Sequence, residues 1–187
     1  MQQGRLRVAF AGRSGSGKTT AAEFLQHECG GVFLSFAYPI KRLLRHALVD
    51  FGFMGPVAVE FVDLHREHER RFLQFVGTEW ARRKDPDVFV KLMQSHIDRC
   101  DDPCLIVDDV RFANEAAMLR RNGFRIFRIH RPGQTASKHE SEYSVDSIPA
   151  EMFDGVIENR GALEDLREAV FAAVFKNASA GDTDKGN

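Results

Sequence analysis

The stretch Leu6-Arg7-Val8-Ala9-Phe10-Ala11-Gly12-Arg13-Ser14-Gly15-Ser16-Gly17-Lys18-Thr19-Thr20 decides how the rest of this chain is read. Its first six residues are an apolar run of strand formers, and residues 12–19 fit G-x-x-x-x-G-K-S/T at every fixed position. After it, Ala21, Ala22, Phe24 and Leu25 take the spacing of an amphipathic helix that runs to His27. Strand, glycine-rich loop and helix in this order make a phosphate-binding loop. Glycines let the backbone come close to an anion, and successive N–H groups at a helix N-terminus carry partial positive charge. The expected cradle for ATP is Gly12, Arg13, Ser14, Gly15, Ser16, Gly17, Lys18, Thr19 and Thr20. Within it, Lys18 is placed to neutralise the β- and γ-phosphates and Thr19 to ligate Mg²⁺.

With 187 residues, 43% of them hydrophobic, the chain can close one sizeable core and is short for two. A single domain over residues 1–176 is expected, followed by a small, polar tail over 177–187 that is expected to be disordered. Lys and Arg number 26 against 27 Asp and Glu, and the net charge of -1 argues against a general polyanion binder. Cys29, Cys100 and Cys104 show no CxxC spacing, so neither a disulfide framework nor a zinc site is suggested. Reduced thiols in a cytoplasmic protein are the simple reading. No apolar segment reaches transmembrane length, and no membrane association is expected.

Further along, Gly30-Gly31 breaks the first helix and Val32 to Phe36 reads as a second buried strand. Pro39 stands at a helix start, with Ile40, Leu43, Leu44, Ala47 and Leu48 at helical spacing to Asp50. Residues 51–60 read as a loop, and helical signal resumes over Leu64 to Arg83 and Val88 to Arg99. Cys104 to Val107 followed by Asp108-Asp109 is how a central parallel strand ends at a ligand site. A helix over Ala113 to Arg121, strands over Phe124 to Ile129 and Phe153 to Glu158, and a helix over Leu163 to Phe175 complete the order. This alternation predicts an α/β, three-layer P-loop NTPase fold, a five-stranded parallel sheet flanked by helices, with ligands at the carboxyl ends of the strands.

Phosphoryl transfer between two anions needs cations that hold both in line and absorb charge. Arg111, three residues past Asp108, could reach a phosphate bidentately or pair with Asp108, Asp109 or Glu115. Asp108 is favoured for the Mg²⁺ shell, with Asp109 second. Arg131 opens a polar stretch that suits a lid over residues 131–145, with Lys138 as a further phosphate contact. Lys18, Asp108, Asp109, Arg111 and Arg131 are thus the candidate catalytic groups. His130 and His139 match no metal spacing. Arg70, Arg71, Gln74, Gly77, Thr78, Glu79, Trp80, Arg82 and Arg83 form either an acceptor pocket or a solvated helix face with Trp80 in the core. Lys41-Arg42-Arg45 reads as a solvated face.

Taken together, five blocks resemble the bacteriophage deoxynucleoside monophosphate kinases. They are Ala9 to Thr20, Phe36-Ala37-Tyr38-Pro39-Ile40-Lys41, Arg71 to Arg82, Val107 to Glu115, and Arg131 with His139-Glu140-Ser141-Glu142. The L-Q-x-x-G-T-E and D-V-R-x-x-N-E blocks are far more specific than the phosphate loop, and the resemblance spans roughly the first 160 residues. It implies transfer of the γ-phosphate of ATP to a deoxynucleoside monophosphate in a fold similar to adenylate kinase. Residues 37–100 then become a helical acceptor-binding insertion. Lys41, Arg71, Gln74, Thr78, Arg82 and Arg111 become its substrate-binding candidates. Phe89 departs from the tryptophan that relatives carry, which keeps an aromatic surface there.

Two competing functions follow from the same residues. One is a P-loop kinase whose acceptor is a hydroxyl on a modified pyrimidine of the 5-hydroxymethyluracil type in DNA, for which Asp108 or Asp109 would serve as base. The other is a nucleotide-gated module without acceptor turnover. The expected partner is a nucleotide, with DNA under the first alternative. A homodimer is left open, and the expected compartment is the cytoplasm, the host's if the chain is phage-encoded.

Overall fold

The computed structural model describes residues 5–52, 71–133 and 144–175. Most of the loop expected at 51–60, Arg70, Lys138, the His139 to Glu142 block and the tail at 177–187 lie outside the described residues.

Five strands, β1 Leu6–Ala11, β2 Val32–Leu34, β3 Cys104–Val110, β4 Arg125–His130 and β5 Gly155–Glu158, pair in parallel in the order β2-β3-β1-β4-β5. Side chains alternate across a strand, so a strand buried on both faces must be apolar throughout. β1 meets that demand from Val8 to Ala11 and β3 from Cys104 to Val107. Val8, Phe10, Cys104 and Ile106 face one layer, where Ala21, Ala22 and Leu25 of α1 (Lys18–Cys29) and Leu166, Val170 and Val174 of α5 (Leu163–Phe175) pack. Ala9, Ala11, Leu105 and Val107 face the other, against Phe89, Met93 and Ile97 of α3 (Val88–Asp98) and Ala116, Met118 and Leu119 of α4 (Ala113–Arg121). The three layers are those the sequence predicts. Because α1 carries the chain from β1 past β3 to β2, the carboxyl ends of β1 and β3 open side by side into a crevice.

Some boundaries differ from the expected ones, each for a visible reason. β2 ends at Leu34 rather than Phe36, because Ser35 Oγ and the N–H groups of Phe36 and Ala37 all turn onto the carboxylate of Asp109. β4 starts at Arg125, since Phe124 N–H still bonds Leu119 O at the end of α4. β5 starts at Gly155, since Phe153 N–H closes the 3₁₀ turn Ala150–Met152 on Ala150 O.

α2 (Tyr38–Asp50) begins as its proline predicts. The next described segment is helical from residue 71 to 84, but Phe75–Arg82 winds as a π-helix, which a 3.6-residue period cannot anticipate. Gly77 lies there against α2, and a Cβ on it would stand 2.8 Å from Ile40 Cδ1. Trp80 is not a core residue. It is 53% exposed, with the Lys84 ammonium 4.6 Å from its ring centroid. The three cysteines are unpaired, and burial pushes the Cys104 thiol up to about 11. No described helix is long and apolar enough to cross a membrane.

Candidate active site

The phosphate loop joins β1 to α1. Gly17 caps α1 at φ 103°, a left-handed conformation open to glycine, and a Cβ there would stand 2.6 Å from Asn159 Nδ2. The first backbone bond of α1 runs from Ala21 N–H to Gly17 O. The N–H groups of Lys18, Thr19 and Thr20 therefore have no α1 carbonyl below them and face the N-terminal end of the helix, where anions bind. Asn159, just past β5, braces the loop from beneath: its Nδ2 donates to Ser16 O at 2.8 Å, and its Oδ1 accepts from Gly161 N–H at 3.0 Å. The buried Lys18 donates from Nζ to Arg13 O at 2.7 Å.

The two carboxylates closing β3 are used differently. Thr19 Oγ1 donates to Asp108 Oδ2 at 2.7 Å, which sets two oxygen donors side by side at the end of the loop. Asp109 accepts from Ser35 Oγ at 2.7 Å and from Phe36 and Ala37 N–H at 3.0 Å each, so it anchors the entry to α2. Burial and the charge of Asp109 raise the Asp108 carboxyl above its ordinary range, against the pull of the Thr19 hydrogen bond and of Lys41 and Lys18.

A third carboxylate, Glu115 of α4, organises the far wall. It is 1% exposed, accepts from Arg111 and Phe112 N–H at 2.8 and 3.0 Å, and pairs with the guanidinium of Arg82. Arg82 in turn lies between the rings of Phe112 and Phe89, 4.0 and 4.8 Å from their centroids. Burial pushes the Glu115 carboxyl up to about 7, although Arg82 and the two N–H groups draw it down.

One cleft of about 700 Å³ runs between these walls. Ser14, Gly15, Gly17, Lys18, Thr19 and Thr20 line it, and so do Lys41, Gln74, Thr78, Arg82, Asp108, Asp109, Arg111 and Arg131. Arg131 reaches over the loop, its guanidinium 3.4 Å from Gly15 O. The remaining candidates lie elsewhere. Arg71 is exposed and outside the lining, Ser16 is buried beneath the loop, and Gly12 is not in the lining. Arg13 pairs with Asp146 at 2.6 Å, where Arg128 also binds. Arg13 and Arg128 together hold the Asp146 carboxyl below its ordinary value despite its partial burial.

Sequence reasoning missed four contributors. Glu115 was visible only as a partner for Arg111, whereas its side chain takes Arg82. Arg45 lines the cleft from within a run that reads as solvated. Phe112 backs the arginine. Asn159 follows the carboxyl end of β5, and the rule that ligands gather at strand ends would have found it had it been applied to that strand.

The sequence profile of deoxynucleotide monophosphate kinase matches residues 67–170. Over 190 residues the chain is 29% identical to a deoxynucleotide monophosphate kinase candidate of Acanthamoeba polyphaga mimivirus, covering 92% of this chain and 97% of that protein. It is 27% identical over 183 residues to an uncharacterised protein of Ictalurid herpesvirus 1, covering 94% of this chain and 69% of that one. Two solved structures share the fold, each with a TM-score of 0.50. One is a Thermus thermophilus protein, 18% identical over 93% of this chain and 98% of its own. The other is shikimate kinase from Acinetobacter baumannii in complex with shikimate, 16% identical over 92% of this chain and 94% of its own.

Proposed function

The chain belongs to the deoxynucleotide monophosphate kinase family and is a phosphotransferase, and from this premise we propose that it transfers the γ-phosphate of ATP to a deoxynucleoside 5′-monophosphate, giving the diphosphate. The observation that carries the reading is that the phosphate loop and the acceptor candidates Lys41, Gln74, Thr78 and Arg111 line a single cleft. A loop serving ATP hydrolysis alone would need no second wall of cations and amide or hydroxyl groups.

In this reading Lys18 and the N–H groups opening α1 hold the β- and γ-phosphates, and Asn159 keeps the loop in shape for them. Thr19 and Asp108 fit Mg²⁺: they offer adjacent hard oxygens, and a half-buried carboxylate beside Asp109 gains from a cation. When bound, the ion would supply positive charge against the phosphate oxygens of ATP. Lys41 and Arg111 bring the acceptor phosphate into line, Arg131 covers the transfer point, and Gln74 and Thr78 meet the acceptor base or sugar. Arg82, held by Glu115 and stacked between Phe89 and Phe112, is a wall of the acceptor pocket and positions what packs on it. Residues 1–176 would act as one catalytic unit, with 37–100 as acceptor region and 131–145 as lid.

An ADP-release assay across the four deoxynucleoside monophosphates tests the proposal, and no turnover on any of them would end it. One observation favours a second acceptor. Asp108 lines the cleft beside the phosphate loop, where its carboxylate would serve as base for a hydroxyl, such as that of a 5-hydroxymethyluracil-type pyrimidine in DNA. Labelled phosphate recovered in DNA rather than in mononucleotides would identify that activity.

A further inference from the structure

The basic run on α2 is divided by helical geometry. Lys41 and Arg45 are four residues apart, share a face and both line the cleft. Arg42 is exposed, its Nε 3.5 Å from the ring nitrogen of His46. Arg45 differs from both in that its Nε is shut off from solvent and has no hydrogen-bond partner among the described residues. A charged donor in that position is costly until an acceptor arrives.

The carboxylates of the cleft are already engaged. Asp108 accepts from Thr19, Asp109 from Ser35, Phe36 and Ala37, and Glu115 from Arg82. Among the described residues no unengaged carboxylate of the cleft is left to pair with Arg45, and an anionic ligand in the cleft is the partner its lining position suits. Helical side chains lean toward the N-terminus of their helix, which for α2 is the end fixed to Asp109. Lys41 stands near enough to Asp108 for its charge to draw that carboxyl down, and Arg45 lines the same cleft one turn further along α2. A planar guanidinium fork matches the oxygens of a phosphate.

We infer that Arg45 binds the 5′-phosphate of the acceptor together with Lys41, an inference that rests on the monophosphate kinase reading above. One acceptor oxygen forms the new bond to the γ-phosphorus as the β–γ bridge of ATP breaks, and Arg45 holds an oxygen that does not react.

The test compares wild type with Arg45→Gln, Arg45→Lys and Arg42→Gln. It uses steady-state kinetics and inhibition constants for the best deoxynucleoside monophosphate and for its phosphate-free deoxynucleoside. Losing a charged hydrogen bond predicts monophosphate affinity weaker by about 10- to 100-fold in Arg45→Gln, with a matching rise in acceptor KM. The KM for ATP and the affinity for the deoxynucleoside stay unchanged. Arg45→Lys recovers part of the loss, which separates lost phosphate binding from a folding defect, and Arg42→Gln behaves as wild type. Equal weakening toward monophosphate and deoxynucleoside would assign Arg45 to the base and overturn the inference, as would no weakening of either. If wild type turns over monophosphates and Arg45→Gln keeps its acceptor KM, this inference alone fails. If wild type turns over no monophosphate, the monophosphate kinase reading fails with it.

Discussion

Thr19 donates its hydroxyl to Asp108 across 2.7 Å, joining the first turn of α1 to the end of β3. The bond spans 89 positions of sequence and leaves two oxygens side by side where the phosphate loop meets the cleft. If the pair acts as one cation-holding unit, Thr19→Val and Asp108→Asn each lower kcat on the order of 100-fold and raise the Mg²⁺ concentration for half-maximal rate. Their double variant should be no more than about threefold worse than either single one, because residues acting as a unit are not additive. Losses that multiply in full would mean separate roles.

The neighbouring carboxylates should part company in stability. Asp109→Ala strips three donors of their acceptor at the entry to α2 and should cost roughly 3 kcal/mol. For a chain of this size that is a Tm lower by about 6–12 °C. Asp108→Asn removes the charge that burial and Asp109 both oppose, so its Tm should hold or rise. Calorimetry on the two variants decides, and equal losses would refute the division of labour.

Glu115 makes stability depend on pH in a defined window. In the folded chain it keeps its proton to about 7, whereas its ordinary value is 4.5. Between those values the folded state binds more protons than the unfolded one, so this contribution is complete below 4.5 and is lost as pH rises through about 7. Its upper size is on the order of 3 kcal/mol. Urea midpoints followed from pH 4 to 8 should fall more steeply in wild type than in Glu115→Gln, and a wild type with the shallower slope would reverse the assignment.

Gly77→Ala should destabilise by about 1–2 kcal/mol and raise acceptor KM, because the new methyl group must displace Ile40 Cδ1 and push the π-helix from α2. Ile40→Val removes that atom, so the pair should recover most of both losses. An alanine variant as stable as wild type would show that the contact can give.

Much of the fold was legible because its cues are local. Val8–Ala11 and Cys104–Val107 are apolar throughout, as strand segments covered on both faces must be, and the loop between Gly12 and Thr19 carries its own spacing. The cleft was legible only in part. Nothing in Lys41-Arg42-Arg45 says which of its cations turns inward, since that depends on the rotation of α2 about its axis, and the rotation is fixed by a carboxylate some 70 positions away. Glu115 hides for a similar reason. A glutamate three residues into a helix reads as an ordinary cap, and only the arrival of Arg82 from another element makes it the centre of a wall. The winding of Phe75–Arg82 leaves no periodic trace at all, because its apolar residues fit a 3.6-residue repeat as well as they fit the turn they adopt.

That winding also makes chain length a constraint in its own right. A turn bonded i to i+5 takes up about one more residue than an α turn. Were the segment to relax to the commoner form with its residue count unchanged, the surplus residue would swing Gln74 by about 100° relative to Arg82. No side chain of the cleft would have been altered, yet its two ends would no longer face one another. Substitutions at the exposed Phe75 or Trp80 should therefore be borne more easily than a one-codon insertion beside them.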